Sequence, residues 1–172
     1  MWLFWAAGIV VFIFGFVVFR GAPYVPSHRR QVERAFDELY PVTGKDVVVD
    51  VGSGDGIVLR LASRRGARAI GYELNPILVI LSQFLSRHDK KIRVQLSDFW
   101  LTSLPLETTV VYGFLVTRDI EKMARKLQFE ANRLNRPIYF ICYGASIKSR
   151  PKLRELGAHH LYQFEPLQVA KP

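Results

Sequence analysis

The stretch VVVDVGSGDG, residues 47–56, decides the fold. Its first five residues are valine-rich and interrupted only by Asp50, which predicts a short strand covered on both faces of a sheet. Glycines at 52, 54 and 56 follow the strand directly, and an apolar-periodic stretch follows the glycines. A strand, a glycine loop and a helix in this order bring backbone amides close to a ligand beyond the carboxyl end of the strand.

Strand-like and helical runs alternate outward from this loop. The predicted strands are 47–51, 67–73, 91–96, 108–113, 137–143 and 159–165, and the predicted helices between them are 57–65, 76–87 and 118–134. We also predict a short helical stretch over 149–156 that ends at Gly157 as a C-cap, and an N-terminal helix through about Tyr40 that Ser27 caps. The alternation predicts an α/β fold with a Rossmann-like, mostly parallel, doubly wound sheet.

The first residues of the chain are of a different kind. WLFWAAGIVVFIFGFVVF, residues 2–19, contains no charged side chain, and as a helix it would rise about 27 Å, close to the thickness of a bilayer core. A cleaved signal peptide would need a basic leading region, and a buried core helix would need more partners than one small domain supplies. We therefore predict a transmembrane helix over 1–20, a linker and helix over 21–44, and the main domain over 45–172.

Arginines at 20, 29 and 30 follow the apolar segment. By the positive-inside tendency they predict a single-pass membrane protein whose main domain is cytoplasmic. The sequence has no leader rich in arginine and serine, so a prokaryotic inner membrane is favoured, with a mitochondrial inner membrane as the alternative.

Composition limits the function further. The formal net charge of +9 predicts an anionic partner, either nucleic acid or acidic lipid headgroups. A membrane anchor is a poor location for a nucleic-acid enzyme, so lipid is favoured. Cys142 is the only cysteine, and the pair His159–His160 alternates its faces on a late strand, so neither a disulfide nor a metal site is expected.

Three kinds of ligand use a glycine loop of this type. A nucleotide-phosphate loop would continue with Gly-Lys-Ser/Thr, but Ile57 and Val58 follow Gly56. A dinucleotide loop would place its third glycine at 57, where this chain has a β-branched side chain. The order D-x-G-x-G-x-G fits instead the S-adenosylmethionine loop of class I methyltransferases. That ligand has a sulfonium and an amino group, so carboxylates near it are favourable.

Carboxylates follow the next two strands as well. Glu73 ends the second strand, where an acidic side chain can accept hydrogen bonds from ribose hydroxyls, and Asp98 follows the third strand, where it can accept from the adenine amino group. Phe99 or Trp100 would line the ring. Two of the acidic residues have a structural alternative, because Asp55 could cap the next helix and Asp98 could cap a turn. The candidate cofactor-binding residues are Asp50, Gly52, Ser53, Gly54, Gly56, Glu73, Leu74, Asn75, Asp98 and Phe99.

Several motifs together resemble a known family. DVGSGDG (50–56), GYELNP (71–76) and SDFW (97–100), preceded by a hydrophobic segment and PYVPS (23–27), are similar to the lysine methyltransferases that modify the adenine nucleotide translocase and the c-type ring protein of ATP synthase. The resemblance covers roughly residues 1–135. It implies a seven-strand enzyme that binds S-adenosylmethionine through Asp50, Gly52, Gly54, Glu73 and Asp98 and methylates a lysine of a small membrane protein. It also leaves open a truncated C-terminal hairpin.

The acceptor side is less clearly marked. YGFL (112–115) lacks the proline that the family tends to have, and YGASIKSRP (143–151) does not match the family segment. We assign acceptor orientation to Tyr112 and the Gly113 carbonyl at the mouth of the fourth strand, with Tyr143 as a helper; a core role for these tyrosines is the alternative. An RNA or DNA methyltransferase and a non-catalytic, membrane-tethered binding protein remain alternative functions.

Overall fold

A computed structural model of the protein describes residues 2, 4, 5, 8 and 28–167. Their core is a seven-stranded sheet in the order β3-β2-β1-β4-β5-β7-β6. The strands are β1 Val47–Val51, β2 Arg68–Glu73, β3 Ile92–Leu96, β4 Val110–Leu115, β5 Ile138–Gly144, β6 Arg154–Leu156 and β7 His159–Phe164. The first five strands are parallel, and β7 runs antiparallel to both β5 and β6. The predicted α/β class and the mostly parallel Rossmann-like sheet are confirmed.

Helices cover both faces of this sheet. The helices are α1 Arg29–Arg34, α2 Ile57–Arg64, α3 Pro76–Ser86 and α4 Ile120–Leu134; a π-helical turn, Ala35–Leu39, extends α1, and a 3-10 turn, Phe99–Leu101, follows β3. Buried side chains from α1, α2 and α3 form one core layer with the sheet, and those of α4 and the 3-10 turn form the other. The two layers explain why β1 carries no alternation of polar and apolar residues, since both of its faces are buried.

The parity of each strand assigns its side chains to one layer. Asp50 and Tyr112 are register partners on the neighbouring strands β1 and β4, and Val48 and Tyr112 belong to the layer of α1–α3. Since side chains alternate along a strand, Asp50 also points toward that layer. The carboxyl ends of β1, β2 and β4 therefore present one row of side chains toward α1–α3 and another toward α4.

The C-terminal part differs from the prediction. Residues 149–156 were expected to be helical, but Arg154–Leu156 forms the edge strand β6, which pairs with β7 across a turn at Gly157. Gly157 has a φ of +58° and makes the hairpin turn possible, so it is not a helix C-cap. Pairing with β7 overrides the local helix pattern, and Pro151 already disfavours a helix there. The C-terminal hairpin is therefore present, with a short outer strand.

The N-terminal predictions are only partly accessible. His28 occupies the N-cap position of α1 and makes no capping bond through its side chain, whereas Ser27, which was expected to cap this helix, lies outside the described residues. The predicted transmembrane helix over 1–20 also falls largely outside them. Within the part of the chain that the structure describes, no helix is both long enough and apolar enough to cross a bilayer.

Candidate functional site

The glycine loop lies at the carboxyl ends of β1 and β2. Its three glycines have φ values of +75°, +54° and +80° at positions 52, 54 and 56, a region that side chains other than glycine rarely adopt. The amides of Gly52 and Ser53 donate to the Tyr72 carbonyl at 2.9 and 3.1 Å, which fastens the loop to β2. A Cβ added to Gly52 would meet nothing within 4 Å, so the backbone here faces open space.

Gly56 serves a different purpose from Gly52. A Cβ at Gly56 would lie 2.1 Å from the Ser82 hydroxyl oxygen on α3. The same restriction applies under the loop, where a Cβ on Gly71 would lie 2.5 Å from the hydroxyl of Ser53. The Ser53 side chain therefore points into the sheet and away from the open side of the loop. Gly56 and Gly71 allow close packing, while Gly52 leaves room for a ligand.

Glu73 binds the loop and the start of α3 together. Its Oε2 accepts a hydrogen bond from the Gly54 amide, and its Oε1 accepts from the amides of Leu74 and Asn75, each at 2.8 Å. A carboxylate has about four acceptor positions, so one position on Oε2 is left for a ligand hydroxyl. The side chain is buried. Glu73 therefore holds the walls of the crevice and retains a limited capacity to accept from a ribose.

Asp50 has the opposite environment. It is 3% exposed, yet no donor among the described residues lies within hydrogen-bonding distance of its carboxylate. Burial raises its pKa well above its ordinary range, and the charges of Glu73 and Asp55 raise the pKa further. A buried carboxylate without a partner is costly unless a ligand satisfies it. Asp50 is therefore the described group most in need of a cation or a hydrogen-bond donor.

Three further candidates have structural roles at this edge. Asp55 accepts from the amide of Ile57 at 3.1 Å and pairs with Arg60 at 3.3 Å, as the capping alternative expected. Asn75 is the N-cap of α3 and its side chain accepts from the Ile77 amide. Asp98 accepts from the Trp100 amide at 2.9 Å through Oδ1, and its Oδ2 accepts no bond from a described residue.

Aromatic rings line the crevice beside Asp98. Phe99 is buried against Tyr72, with ring centroids 6.2 Å apart, and Trp100 is partly exposed. The ammonium groups of Lys126 and Lys122 lie 5.0 Å and 4.0 Å from the Phe99 and Trp100 rings, respectively. These rings form an apolar wall at the end of β3, on the side of the sheet that α4 covers.

The acceptor residues lie deeper than expected. β4 continues to Leu115, so the prediction that Tyr112 and Gly113 lie at its mouth is wrong: Gly113 pairs with Val51 inside the sheet. The Tyr112 hydroxyl is buried and lies 3.0 Å from Nε2 of His159. Phe114 takes the place at the mouth. The strand is longer than its apolar pattern suggested because β5 pairs with it up to Gly144.

Sequence reasoning missed His159 and Phe114. The His159 ring lies against Tyr143, with centroids 4.9 Å apart, and the Tyr143 ring lies 5.7 Å from that of Phe114. Burial, with a smaller contribution from His160, lowers the pKa of His159 to about 4, so the imidazole is neutral at pH 7. Both histidines are buried, which corrects the expectation that one faces outward: helices or strands cover both faces of β7. Strand parity, which places His159 beside Tyr143, was the available signal.

The arrangement as a whole favours a cationic ligand. Asp50, Asp55 and Glu73 surround a glycine loop whose backbone faces open space, and two of the three carboxylates already have protein partners. The remaining carboxylate, on Asp50, attracts positive charge and repels phosphate. These residues fit the sulfonium and amino groups of S-adenosylmethionine. No group of three metal-binding side chains occurs among the described residues.

Comparison with known proteins gives relatives of one kind. The chain is 39% identical to the lysine N-methyltransferase of Xenopus laevis that is named for the c-type ring protein of ATP synthase, over 111 residues, which are 63% of this chain and 48% of that protein. It is 30% identical to a protein-lysine N-methyltransferase of Saccharolobus islandicus over 115 residues, which are 63% of this chain and 69% of that protein. The chain thus spans about half the length of the animal relatives it matches. No protein-family model matches the chain.

Solved structures agree on the fold. The crystal structure of an RNA methyltransferase from Salinibacter ruber in complex with S-adenosyl-L-homocysteine superposes with a TM-score of 0.70 at 24% identity, over 86% of this chain and 98% of that one. The likeness shows that this sheet is a seven-strand class I methyltransferase sheet. The strand order with antiparallel β7 between β5 and β6 agrees with it.

Proposed function

Because the chain belongs to the protein-lysine N-methyltransferase family, we propose that it transfers a methyl group from S-adenosylmethionine to the side-chain amine of a protein lysine. The observation that carries the proposal is the Asp50 carboxylate, buried and without a protein partner beside an open glycine loop. The relatives at 32–39% identity are named for lysine methylation of the c-type ring protein of ATP synthase. A small membrane protein of that kind is the proposed substrate.

The donor supplies an electrophilic methyl group on a positively charged sulfur. Asp50 is proposed to attract its cationic methionine end, the open backbone at Gly52 to admit it, and Oε2 of Glu73 to accept from a ribose hydroxyl. Asp98 is proposed to accept from the adenine amine through Oδ2, beside the Phe99 wall. Methyl transfer needs no proton on the leaving group, so these residues contribute binding and alignment.

The acceptor side is proposed to select the neutral amine. A lysine must lose its proton before it can attack, and an apolar surrounding favours the neutral form by lowering the pKa of the amine. Phe114 and Tyr143 form such a surface at the mouths of β4 and β5. Tyr112 is proposed to act through His159, whose neutral imidazole places no cation beside the incoming amine.

The proposal includes a membrane anchor over residues 2–19 with the catalytic domain on the cytoplasmic side. It is supported by the length and apolarity of this stretch and by the arginines at 20, 29 and 30. A basic domain next to anionic lipid also explains the net charge of +9 without a nucleic acid. The anchor would hold the site near lysines of membrane proteins.

The test is direct methylation. We would incubate the purified full chain in detergent with labelled S-adenosylmethionine and either isolated ATP synthase c-rings or whole membranes, and locate the label by mass spectrometry. We expect mono-, di- or trimethyl-lysine in a small membrane protein. Label in RNA, or no donor binding by calorimetry, would contradict the proposal.

Two matched variants make this test specific. Asp50→Asn alters the carboxylate at the carboxyl end of β1, and Asp46→Asn alters the buried carboxylate just before its amino end. Asp46 accepts from Tyr40, Thr43 and Thr109, far from the loop. We expect Asp50→Asn to weaken methylation at least about tenfold, while folded Asp46→Asn protein should retain it.

A further inference from the structure

Helix α3 presents its most apolar side chains to the outside. Its sequence, PILVILSQFLS, contains no charged residue. The exposed side chains include Ile80 and Phe84, which are 66% and 59% exposed, and the whole set is Ile77, Ile80, Leu81, Phe84 and Leu85. At 100° per residue these five side chains occupy one arc of about 140°. A continuous apolar surface of this size on a single helix marks an interaction site.

The inward side of the same helix is small and partly polar. Val79, Ser82 and Ser86 are the buried residues of α3, and they lie opposite the exposed arc. The hydroxyls of Ser82 and Ser86 have no hydrogen-bond partner among the described residues. In an ordinary surface helix the large apolar residues would face the sheet. Here the helix is turned the other way, so its apolar face is available to a second apolar phase.

The rim of this face is basic. Directly after α3 come Arg87, Lys90 and Lys91, all exposed, and the Arg87 guanidinium lies 4.3 Å from the Phe84 ring centre. The one acid in this segment, Asp89, is directed at the protein: it accepts from the Ser63 hydroxyl at 2.5 Å and from the Lys91 amide at 3.0 Å. An apolar face with a cationic border matches the headgroup layer of an anionic bilayer.

The tether brings the bilayer within reach. Residues 20–27 separate the apolar stretch 2–19 from the described domain, and fully extended they span at most about 28 Å. A domain held this close to a surface meets it at a high effective concentration, so a weak contact is sufficient to orient it. This step depends on the anchor proposed above.

We propose that α3 lies in the headgroup layer of an anionic membrane with Ile80 and Phe84 inserted and Arg87, Lys90 and Lys91 against lipid phosphates. The helix begins at Asn75, next to the two amides that Glu73 binds. The contact therefore turns the rim of the crevice toward the bilayer surface. It selects, as substrate, a lysine that lies at the membrane interface.

The test compares two phenylalanines on opposite faces of the sheet. Phe129 on α4 is 64% exposed, closely matching Phe84. We would label Phe84→Cys and Phe129→Cys in the full chain with a polarity-sensitive fluorophore and reconstitute the protein into vesicles that contain nitroxide-bearing lipids. Cys142 is buried and burial raises its pKa to about 12, so it does not compete for the label.

We expect the label at 84 to shift to the blue and to be quenched several-fold more than the label at 129, with a difference that grows with the fraction of anionic lipid. Equal quenching at both positions, or a chain that does not associate with vesicles, overturns the proposal. A blue shift at 84 without lipid quenching also overturns it, because a protein surface would then cover the face. Donor binding needs no lipid, so calorimetry on the same labelled protein shows separately whether the proposed function fails.

Discussion

Replacing Asp50 by asparagine should stabilise the free protein and weaken its ligand binding. The carboxylate is buried, accepts no hydrogen bond from a described residue and lies in the field of Glu73 and Asp55. Removing such a charge relieves its desolvation and the repulsion between carboxylates. Unmet buried charges cost about 1–3 kcal/mol or more, so we expect a gain of about 2 kcal/mol near pH 8, or about 4–8 °C in the thermal midpoint for a chain of this size.

The pH dependence identifies the carboxylate as the cause. Because the folded-state pKa of Asp50 is raised, the wild-type protein gains stability as this group is protonated and loses it as the pH rises through the folded pKa. The advantage of Asp50→Asn should therefore be largest at alkaline pH and should vanish at acidic pH, where Asp50 is neutral. Thermal unfolding of the full chain in detergent, recorded between pH 4 and 8.5, measures this.

The binding effect should have the opposite sign. Loss of a charge-assisted contact costs about 1.5–3 kcal/mol, which is about 10–150-fold in the dissociation constant for S-adenosylmethionine. Asp46→Asn provides the control, since Asp46 accepts hydrogen bonds from Tyr40, Thr43 and Thr109 and its replacement should destabilise the protein without changing ligand affinity. The reasoning is refuted if Asp50→Asn destabilises the free protein at pH 8, or stabilises it equally at every pH.

Three other predictions follow from single contacts. Gly56→Ala should destabilise by about 2–4 kcal/mol, because its Cβ meets the Ser82 hydroxyl and its φ is positive, and adding Ser82→Ala should recover part of this in thermal unfolding; Gly52→Ala should cost only about 1 kcal/mol but should weaken donor binding measured by calorimetry. Glu73→Gln should lose one or two of three backbone hydrogen bonds, at about 1–3 kcal/mol, and should also weaken donor binding; unchanged values would contradict the role assigned to this side chain. Because the pKa of His159 is lowered to about 4, stability should fall as the pH drops from about 6.5 toward 4, and His159→Gln should flatten that profile.

The fold was predictable where local patterns and tertiary environment agree. β1 and its glycine loop were expected at the positions where the structure has them, because buried parallel strands are short, apolar and β-branched. The edge strand β6 was missed, since an edge strand of three residues has little pattern of its own and depends on its partner β7. Helix α3 was placed correctly, but its orientation was not foreseen, because periodicity shows that an apolar stripe exists and not which way it faces.

The candidate site was predictable by position and not by hydrogen bonding. Each acidic residue was expected after a strand, and each lies at the carboxyl edge. The sequence did not reveal that Glu73 already accepts three backbone amides while Asp50 accepts none, because side-chain partners depend on how the loop folds over β2. The depth of Tyr112 was missed for a related reason: β4 ends where β5 stops pairing with it, two residues beyond its apolar run.

Helix α3 links the crevice and the proposed membrane face. Its first turn must come close to the glycine loop so that Glu73 can bind the amides of Gly54 and Asn75, and a Cβ at Gly56 would already lie 2.1 Å from the Ser82 hydroxyl. Such an approach requires small residues on the inward side, which is where Ser82 lies. A leucine there would push the helix away from the loop and separate Gly54 from Glu73. The large apolar residues of α3 are therefore left to the outward side by the same packing that closes the crevice, and Ser82→Leu should weaken donor binding in solution, with no membrane present.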